Sequence, residues 1–369
     1  MAAPGTALQV SLDPASAGTA TDDLLAAILR TNPRISDLIF SPGRKFQVQV
    51  SGEFVPVETL STSSLTADDT RRIASDLIGN NKAAISMLRE QGYCDVSYAL
   101  AGVARFRVNV FIQRGSCAVV MRVIPTSIPD FQGLGLPETL REIASLRDGL
   151  VLVTGPRGSG KSSTLAAILN HINETETCHI ITIEDPIEFL HNHKRATVHQ
   201  RELHSDTPSV LQAMRAALRQ APNIIAVGEL KDRETMELAL EAAETGHLVL
   251  STLNTLNAQQ TVERFVAAFP AAEQTGARER LARMLRYVIS QRLVPRREGS
   301  HRVAVFEVLK SGSKPLDRWL EGASGSPKSA GLDAEIEKLV RSGIVNPEIA
   351  LAHAIDPREL AKKLKDSNN

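Results

Sequence analysis

The chain has 369 residues, 43% of them hydrophobic, enough for two domains or one large one with a real core. Lysine plus arginine and aspartate plus glutamate both total 42, so the formal net charge is zero and no single-sign field marks nucleic acid or anionic lipid as the main partner. Three cysteines, Cys94, Cys117 and Cys178, stand far apart without CxxC spacing, which fits a reducing compartment and gives no metal site.

The first residues carry no positive charge ahead of a weakly apolar stretch, unlike a secretory signal, and no run approaches the roughly 18 apolar residues of a membrane span. The expectation is a cytoplasmic protein. Residues 1–20, rich in Ala, Ser, Thr, Gly and Pro, read as a disordered N-terminal tail. Thr21 caps a predicted helix with Asp22 and Asp23 in its first turn and Leu24, Leu25, Ile28 and Leu29 on its apolar face, stopped by Pro33. "KFQVQVSGEFVPV" alternates around a Ser-Gly turn and predicts a hairpin. A helical stretch from about Ala67 to Glu90 leads into three strands split at Gly102 and at Arg114-Gly115, closing an α+β domain over residues 21–126. "PTSIPDFQGLGLP" holds three prolines and two glycines, so residues 127–137 are expected to be a hinge linker.

From Glu138 the pattern changes. "GLVLVTG", "HIITIED", "NIIAVGE" and "HLVLSTL" are short and apolar throughout, separated by helical segments, as in a parallel sheet covered on both faces. This α/β domain is expected over residues 138–321. In such a sheet ligands bind beyond the carboxyl ends of the strands, and all four runs end in polar residues or glycine. A long amphipathic helix is predicted after "FPAAEQTG", with Leu281, Met284, Leu285, Val288 and Ile289 at helical spacing. The strand "HRVAVFEVL" follows, then a flexible connector at 322–331 and a C-terminal helical segment at 332–369. There are no internal repeats.

"GPRGSGKS", comprising Gly155, Pro156, Arg157, Gly158, Ser159, Gly160, Lys161 and Ser162, matches the phosphate-loop pattern GxxxxGK[ST] between an apolar strand and a helix, and these residues with Ser163 are the expected nucleotide-binding set. Glycines let backbone N–H groups turn inward around a phosphate, and the helix N-terminus favours negative charge. In this pattern Lys161 reaches the β- and γ-phosphates and Ser162 ligates Mg2+. "NIIAVGE" delivers Glu229 after an apolar strand, where a carboxylate acts on Mg2+ or on attacking water, and "ITIEDPIEF" brings Glu184, Asp185 and Glu188 after another. Two acidic clusters beside one phosphate loop favour hydrolysis over mere nucleotide binding.

"LVLVTGPRGSGKSSTLAAILNHIN", "HIITIEDPIEFLH", "VGELKDRETMELALEAAETGHLVLSTLNT" and the earlier "ARFRVNVFIQRGS" resemble the type IV pilus twitching-motility ATPases, the PilT-like branch of the secretion ATPases. The resemblance runs from about Ser36 to Phe269. It implies a RecA-like P-loop ATPase domain with a smaller N-terminal α+β PAS-like domain, a homohexamer, and ATP with Mg2+ as cofactors. It further implies work on an inner-membrane pilus platform protein from the cytoplasmic face, without nucleic acid and without membrane insertion. Carried over position by position, catalytic roles fall on Glu188 and Glu229, with Ser162 and Glu229 at the metal. Arginine fingers fall on Arg107 and Arg122, and a polar sensor on His247, near the phosphates or a neighbouring subunit. The function so implied is a motor for pilus retraction, the alternatives being an ATP-binding regulatory paralogue or a pilus or secretion assembly ATPase.

Three departures stand beside the likeness. Where the family has a second histidine, in "TLHT", this chain has "TLNT" with Asn254, which hydrogen-bonds but cannot be protonated as imidazole can. "QAPNII", Gln220 to Ile225, lacks the family's usual acidic residues, and "KPLDRWLEG" replaces an element that the family associates with retraction. A small-molecule kinase would need an arginine-bearing lid, and a GTPase an asparagine-lysine-x-aspartate base reader; neither is present.

Overall fold

The computed structural model describes residues 8–10, 21–50, 52–59, 64–100, 102–124, 127–298, 302–321 and 330–366. The chain divides into two units, Met1–Ser127 and Ile128–Asn369.

The first unit is a seven-stranded sheet with helices on it. Its elements are β1 (Leu8–Val10), α1 (Thr21–Thr31), β2 (Ile35–Phe40), β3 (Gln47–Val50), β4 (Glu53–Thr59), α2 (Ala67–Ile78), α3 (Lys82–Gln91), β5 (Tyr93–Leu100), β6 (Ala104–Gln113) and β7 (Ser116–Ile124). The strand order is β1-β4-β3-β2-β7-β6-β5. The expected hairpin is β3 and β4, with Val50 opposite Glu53, and the three expected strands are β5, β6 and β7. Leu25 and Ile28 of α1, Ile73 of α2, and Phe40, Phe106, Val108 and Met121 of the sheet fill one buried core. The helical stretch from Ala67 to Glu90 is two helices, because Gly79 adopts φ +55° and Asn81 caps α3 through its side chain. The expected tail needs correction as well: Leu8–Val10 pairs in parallel with Val57–Thr59, and the rest of 1–20 lies outside the described residues.

The second unit has β8 (Gly149–Thr154), β9 (His179–Glu184), β10 (Thr197–Glu202), β11 (Ile224–Val227), β12 (Leu248–Leu253), β13 (Leu285–Pro295) and β14 (Arg302–Lys310) in the order β10-β9-β11-β12-β8-β13-β14. All neighbours pair in parallel except β13 with β14. Its helices are α4 (Phe131–Leu134), a 3-10 turn (Glu138–Ser145), α5 (Lys161–Thr175), α6 (Val210–Ala217), α7 (Arg233–Glu244), α8 (Ala258–Ala267), α9 (Gln274–Met284), α10 (Lys314–Leu320), α11 (Ala330–Arg341), α12 (Pro347–His353) and α13 (Pro357–Asp366).

The uninterrupted apolar character of these strands follows from having a core on each face. Leu150 and Leu152 of β8 join α6, α7, α8 and α9 in one cluster, while Val151 and Val153 join α5 and the 3-10 turn in the other. Each fully buried aliphatic side chain contributes about 1.5–3 kcal/mol relative to exposure.

Three expectations are corrected in this unit. Residues 131–137 are not a free linker, since Phe131 and Leu136 are buried in the α5-side core. The long helix through Leu281 and Ile289 ends at Met284; Leu285, Val288 and Ile289 belong to β13, buried on both faces, and a continuous apolar run fits either period. The connector's last two residues, Ala330 and Gly331, open α11, while 322–329 lie outside the described residues. The "KPLDRWLEG" segment forms α10, with Leu316, Trp319 and Leu320 buried in the α7-side core.

Candidate functional site: a phosphate loop between two glutamates

β8 ends at Thr154, the loop turns at Gly155, and α5 starts at Lys161. Gly155, Gly158 and Gly160 have φ of +152°, +74° and +90°, which L side chains rarely adopt. Two of these glycines are also places of close approach. A Cβ at Gly155 would meet the Gln291 carbonyl oxygen at 2.4 Å, and one at Gly160 would meet Gln291 Nε2 at 2.8 Å.

Gly160, the N-cap of α5, offers no side-chain acceptor, whereas α2, α3, α6, α7 and α8 are capped by Thr66, Asn81, Ser209, Asp232 and Asn257. The first N–H groups of α5 are therefore left for an anion. Inside the loop the Ser159 hydroxyl is buried with no hydrogen-bond partner. Lys161 Nζ donates to the carbonyl oxygens of Gly155 at 2.9 Å and Pro156 at 3.0 Å. Burial pushes the Lys161 pKa below its ordinary value, against the opposing pull of the Glu229 and Glu188 charges.

Two strand ends bring acid to this loop. Ser162 Oγ, on the first turn of α5 beside Ser163, donates to Glu188 Oε1 at 3.0 Å. Glu188 lies on the loop after β9, beyond the cis Asp185–Pro186 peptide. Glu229 follows Val227 and Gly228 at the end of β11, and the Asn254 amide at the end of β12 donates to Glu229 Oε1. Arg157, Lys161, Ser162, Glu188, Glu229 and Asn254 all line one pocket of about 550 Å³. Two carboxylates and a hydroxyl are hard oxygen donors suited to a hard divalent cation. Among the described residues no group of three or more His, Cys, Asp or Glu could hold a metal ion by itself. Glu184 does other work: it accepts from Thr182 Oγ1 at 2.6 Å and Gln200 Nε2 at 2.9 Å, and desolvation raises its pKa.

The polar end of β12 has a mostly structural explanation. Ser251 Oγ donates to the Val227 carbonyl at 2.7 Å and Thr252 Oγ1 to the Gly228 carbonyl at 2.6 Å, binding β12 to β11 beside Glu229. Thr255 bonds Thr261, and Asn257 caps α8.

His247 is not brought to the pocket in this chain. It precedes β12 at the opposite end from the phosphate loop, roughly 20 Å away along six strand residues. Its Nδ1 lies 2.9 Å from the Ala242 carbonyl oxygen and 3.2 Å from Thr245 Oγ1. Arg107 and Arg122 belong to the first unit, where they are directly opposed on β6 and β7, both exposed. Asp37 on β2 opposes Arg122 in turn and accepts from its Nε at 2.9 Å.

Sequence reasoning missed Gln291 and β10. Gln291 Nε2 donates to the Ser159 carbonyl at 2.6 Å, and its Oε1 accepts from Thr164 Oγ1 at 2.7 Å, so one buried side chain fastens the loop to α5. On β10, Glu202 accepts from the Ile187 N–H at 3.0 Å and Gln200 donates to the Phe189 carbonyl at 2.8 Å, gripping the loop on both sides of Glu188. The available signal for Gln291 was the polar triplet Ser290-Gln291-Arg292, which interrupts the apolar residues of β13.

A family model described as "Type II/IV secretion system protein" matches residues 94–341. The Neisseria gonorrhoeae protein named "Twitching motility protein" is 39% identical over 318 residues, 83% of this chain and 83% of that protein. The Pseudomonas aeruginosa protein named "Type IV pilus retractation ATPase PilT" is 43% identical over 274 residues, 74% of this chain and 78% of its own length. Among solved structures, one described as "Crystal Structure of the Pilus Retraction Motor PilT and Bound ADP" aligns with a TM-score of 0.80 at 40% identity, covering 89% of this chain and 95% of its own.

Proposed function

Because the chain belongs to the type II/IV secretion system protein family, we propose that it is an ATP-hydrolysing motor that drives retraction of a type IV pilus. In this proposal it acts as a homohexamer on a platform protein at the cytoplasmic face of the inner membrane. The observation that carries the proposal is the meeting of Lys161, Ser162, Glu188 and Glu229 in one pocket at the mouth of the phosphate loop. Relatives named for pilus retraction and twitching motility over most of the chain supply the choice of output.

The residues divide the work by charge. The N–H groups of the loop and of α5 hold the phosphates, and Lys161 exchanges the Gly155 and Pro156 carbonyls for phosphate oxygens. Ser162 and Glu229, with Glu188 beside them, would hold Mg2+, which when bound supplies charge neutralisation on the β- and γ-oxygens. Glu229 and Glu188 orient the attacking water. Arg107 and Arg122, reaching the nucleotide of a neighbouring copy, would stabilise charge developing on the γ-phosphate.

The biochemical test is Mg2+-dependent ATP hydrolysis by a ring-sized particle in light scattering, abolished in Lys161→Ala and Glu229→Gln. A strictly monomeric protein with full activity would sink the motor proposal, and nucleotide binding without turnover would assign a regulatory role instead. Deletion in the native host separates the outputs: hyperpiliated cells without twitching mean retraction, bald cells mean assembly.

A further inference from the structure

Glu229 is held differently from its surroundings. Its backbone neighbours are fixed to β12 by Ser251, Thr252 and the 3.2 Å bond from Leu230 N–H to the Thr252 carbonyl. A glutamate side chain still has three free torsions, and fixing them costs rotamer entropy. The Asn254 amide Nδ2 is the donor that fixes them, bonding Oε1.

The choice of donor matters because of what else stands in the pocket. Lys161 is close enough for the Glu229 charge to act on its ammonium, and Lys231, which pairs with Asp185 at 3.9 Å, lines the same pocket. A glutamate without a dedicated donor finds its strongest partner in one of these cations. Pairing with Lys161 would neutralise the charge needed for phosphate and turn the carboxylate away from water. An amide avoids this, since it donates a directional hydrogen bond, adds no charge, and occupies one carboxylate oxygen only. We propose that Asn254 is a positioning residue for hydrolysis: it holds Glu229 Oε1, keeps the carboxylate off Lys161, and leaves Oε2 for the attacking water.

This rests on the motor proposal, and the experiment separates the two. ATPase kcat and KM, with fluorescent ADP affinity, are measured on the full chain for the native protein, Asn254→Ala, Asn254→Asp and Asn254→Gln. Asn254→Ala lowers kcat about tenfold with ADP affinity within about twofold, the pattern of an interaction that serves the transition state rather than the ground state. Asn254→Asp loses the donor and adds a like charge, so its kcat falls further, by about a hundredfold. Asn254→Gln retains an amide donor and recovers kcat to within about threefold of native. Native kcat in Asn254→Ala, or a loss of ADP affinity equal to the loss of kcat/KM, overturns the positioning role while leaving the motor intact. Absence of turnover in the native protein overturns both.

Discussion

Gln291 and Ser159 stand 132 residues apart in sequence and are joined by a 2.6 Å hydrogen bond from the Gln291 amide to the Ser159 carbonyl oxygen. The same side chain accepts from Thr164, so the phosphate loop and the first turn of α5 share one clamp rooted in β13. Gln291→Leu removes both bonds at similar volume. Nucleotide affinity is expected to weaken about tenfold or more, since each buried bond contributes about 1 kcal/mol. Titration with a fluorescent nucleotide measures this, and unchanged affinity would refute the clamp. Gly155→Ala is the harsher test, because its Cβ would meet Gln291 O at 2.4 Å and Ser159 Oγ at 2.5 Å; nucleotide binding should disappear.

The opposed pair Arg107 and Arg122 makes a prediction about assembly. Two cations facing each other across a strand pair are unfavourable to the sheet, and Asp37 offsets only one of them. Arg107→Ala should leave the melting temperature near its native value, whereas Arg122→Ala, which strips the buried Asp37 of its partner, should lower it; both should lower turnover about a hundredfold or more, as arginine-finger losses do. Mixing Arg107→Ala subunits with Lys161→Ala subunits should restore part of the activity, because each intact phosphate loop can then meet an intact arginine from another copy. No recovery in mixed rings would place the arginines outside catalysis in trans.

His191 sets an acid limit. It lies in the pocket wall, and burial, with Lys194 adding to the effect, pushes its pKa down to about 4 from an ordinary 6.5. Its Nδ1 is buried without a partner, so an imidazolium there would leave a proton unsatisfied. Below pH 6.5 the unfolded chain binds this proton and the folded chain does not. Stability therefore falls as pH drops from about 6.5 towards 4 and is level below that, the loss amounting to about 3 kcal/mol at most. Denaturant midpoints measured across this range in native protein and in His191→Asn should converge at low pH. A parallel pH dependence in both would show that His191 is not the group responsible.

The hydroxyls on β12 can be tested apart from catalysis. Thr252→Val keeps the β-branched shape and removes the bond to the Gly228 carbonyl, which should cost about 1 kcal/mol. In a unit of this size that is a fall of about 2–4 °C in melting temperature. A loss of turnover out of proportion to that change would mean that the staple also aligns Glu229.

The phosphate loop was legible because its chemistry is contiguous: eight residues between a strand and a helix contain the turn, the donors and the lysine. The four apolar strands were legible because burial on both faces leaves no polar positions. β13 was misread for the same reason, since Leu285, Val288 and Ile289 satisfy a helical period and a buried strand equally well. Gln291 and Glu202 could not be found by spacing, because their partners are carbonyls and N–H groups of loops remote in sequence. The polar end of β12 suggested a nucleotide border, yet Ser251 and Thr252 spend their hydroxyls on β11, and Asn254 is the residue whose side chain meets Glu229 in the pocket. His247 shows the limit of adjacency in sequence, for the length of β12 separates it from its own phosphate loop, one of the two places it was expected to reach.

Arg292 follows Gln291 on β13 and donates through Nη1 to the His353 carbonyl, at the end of α12, at 2.9 Å. Successive strand residues face opposite ways, so one peptide link separates the side chain that grips the phosphate loop from the side chain that grips the C-terminal helices. Sequence drift among those helices is thus not insulated from the nucleotide. A partner that tugs on them pulls the same beam from behind, and shortening the chain after Leu320 would be felt first as altered ATP affinity, before any change in what the protein is able to move.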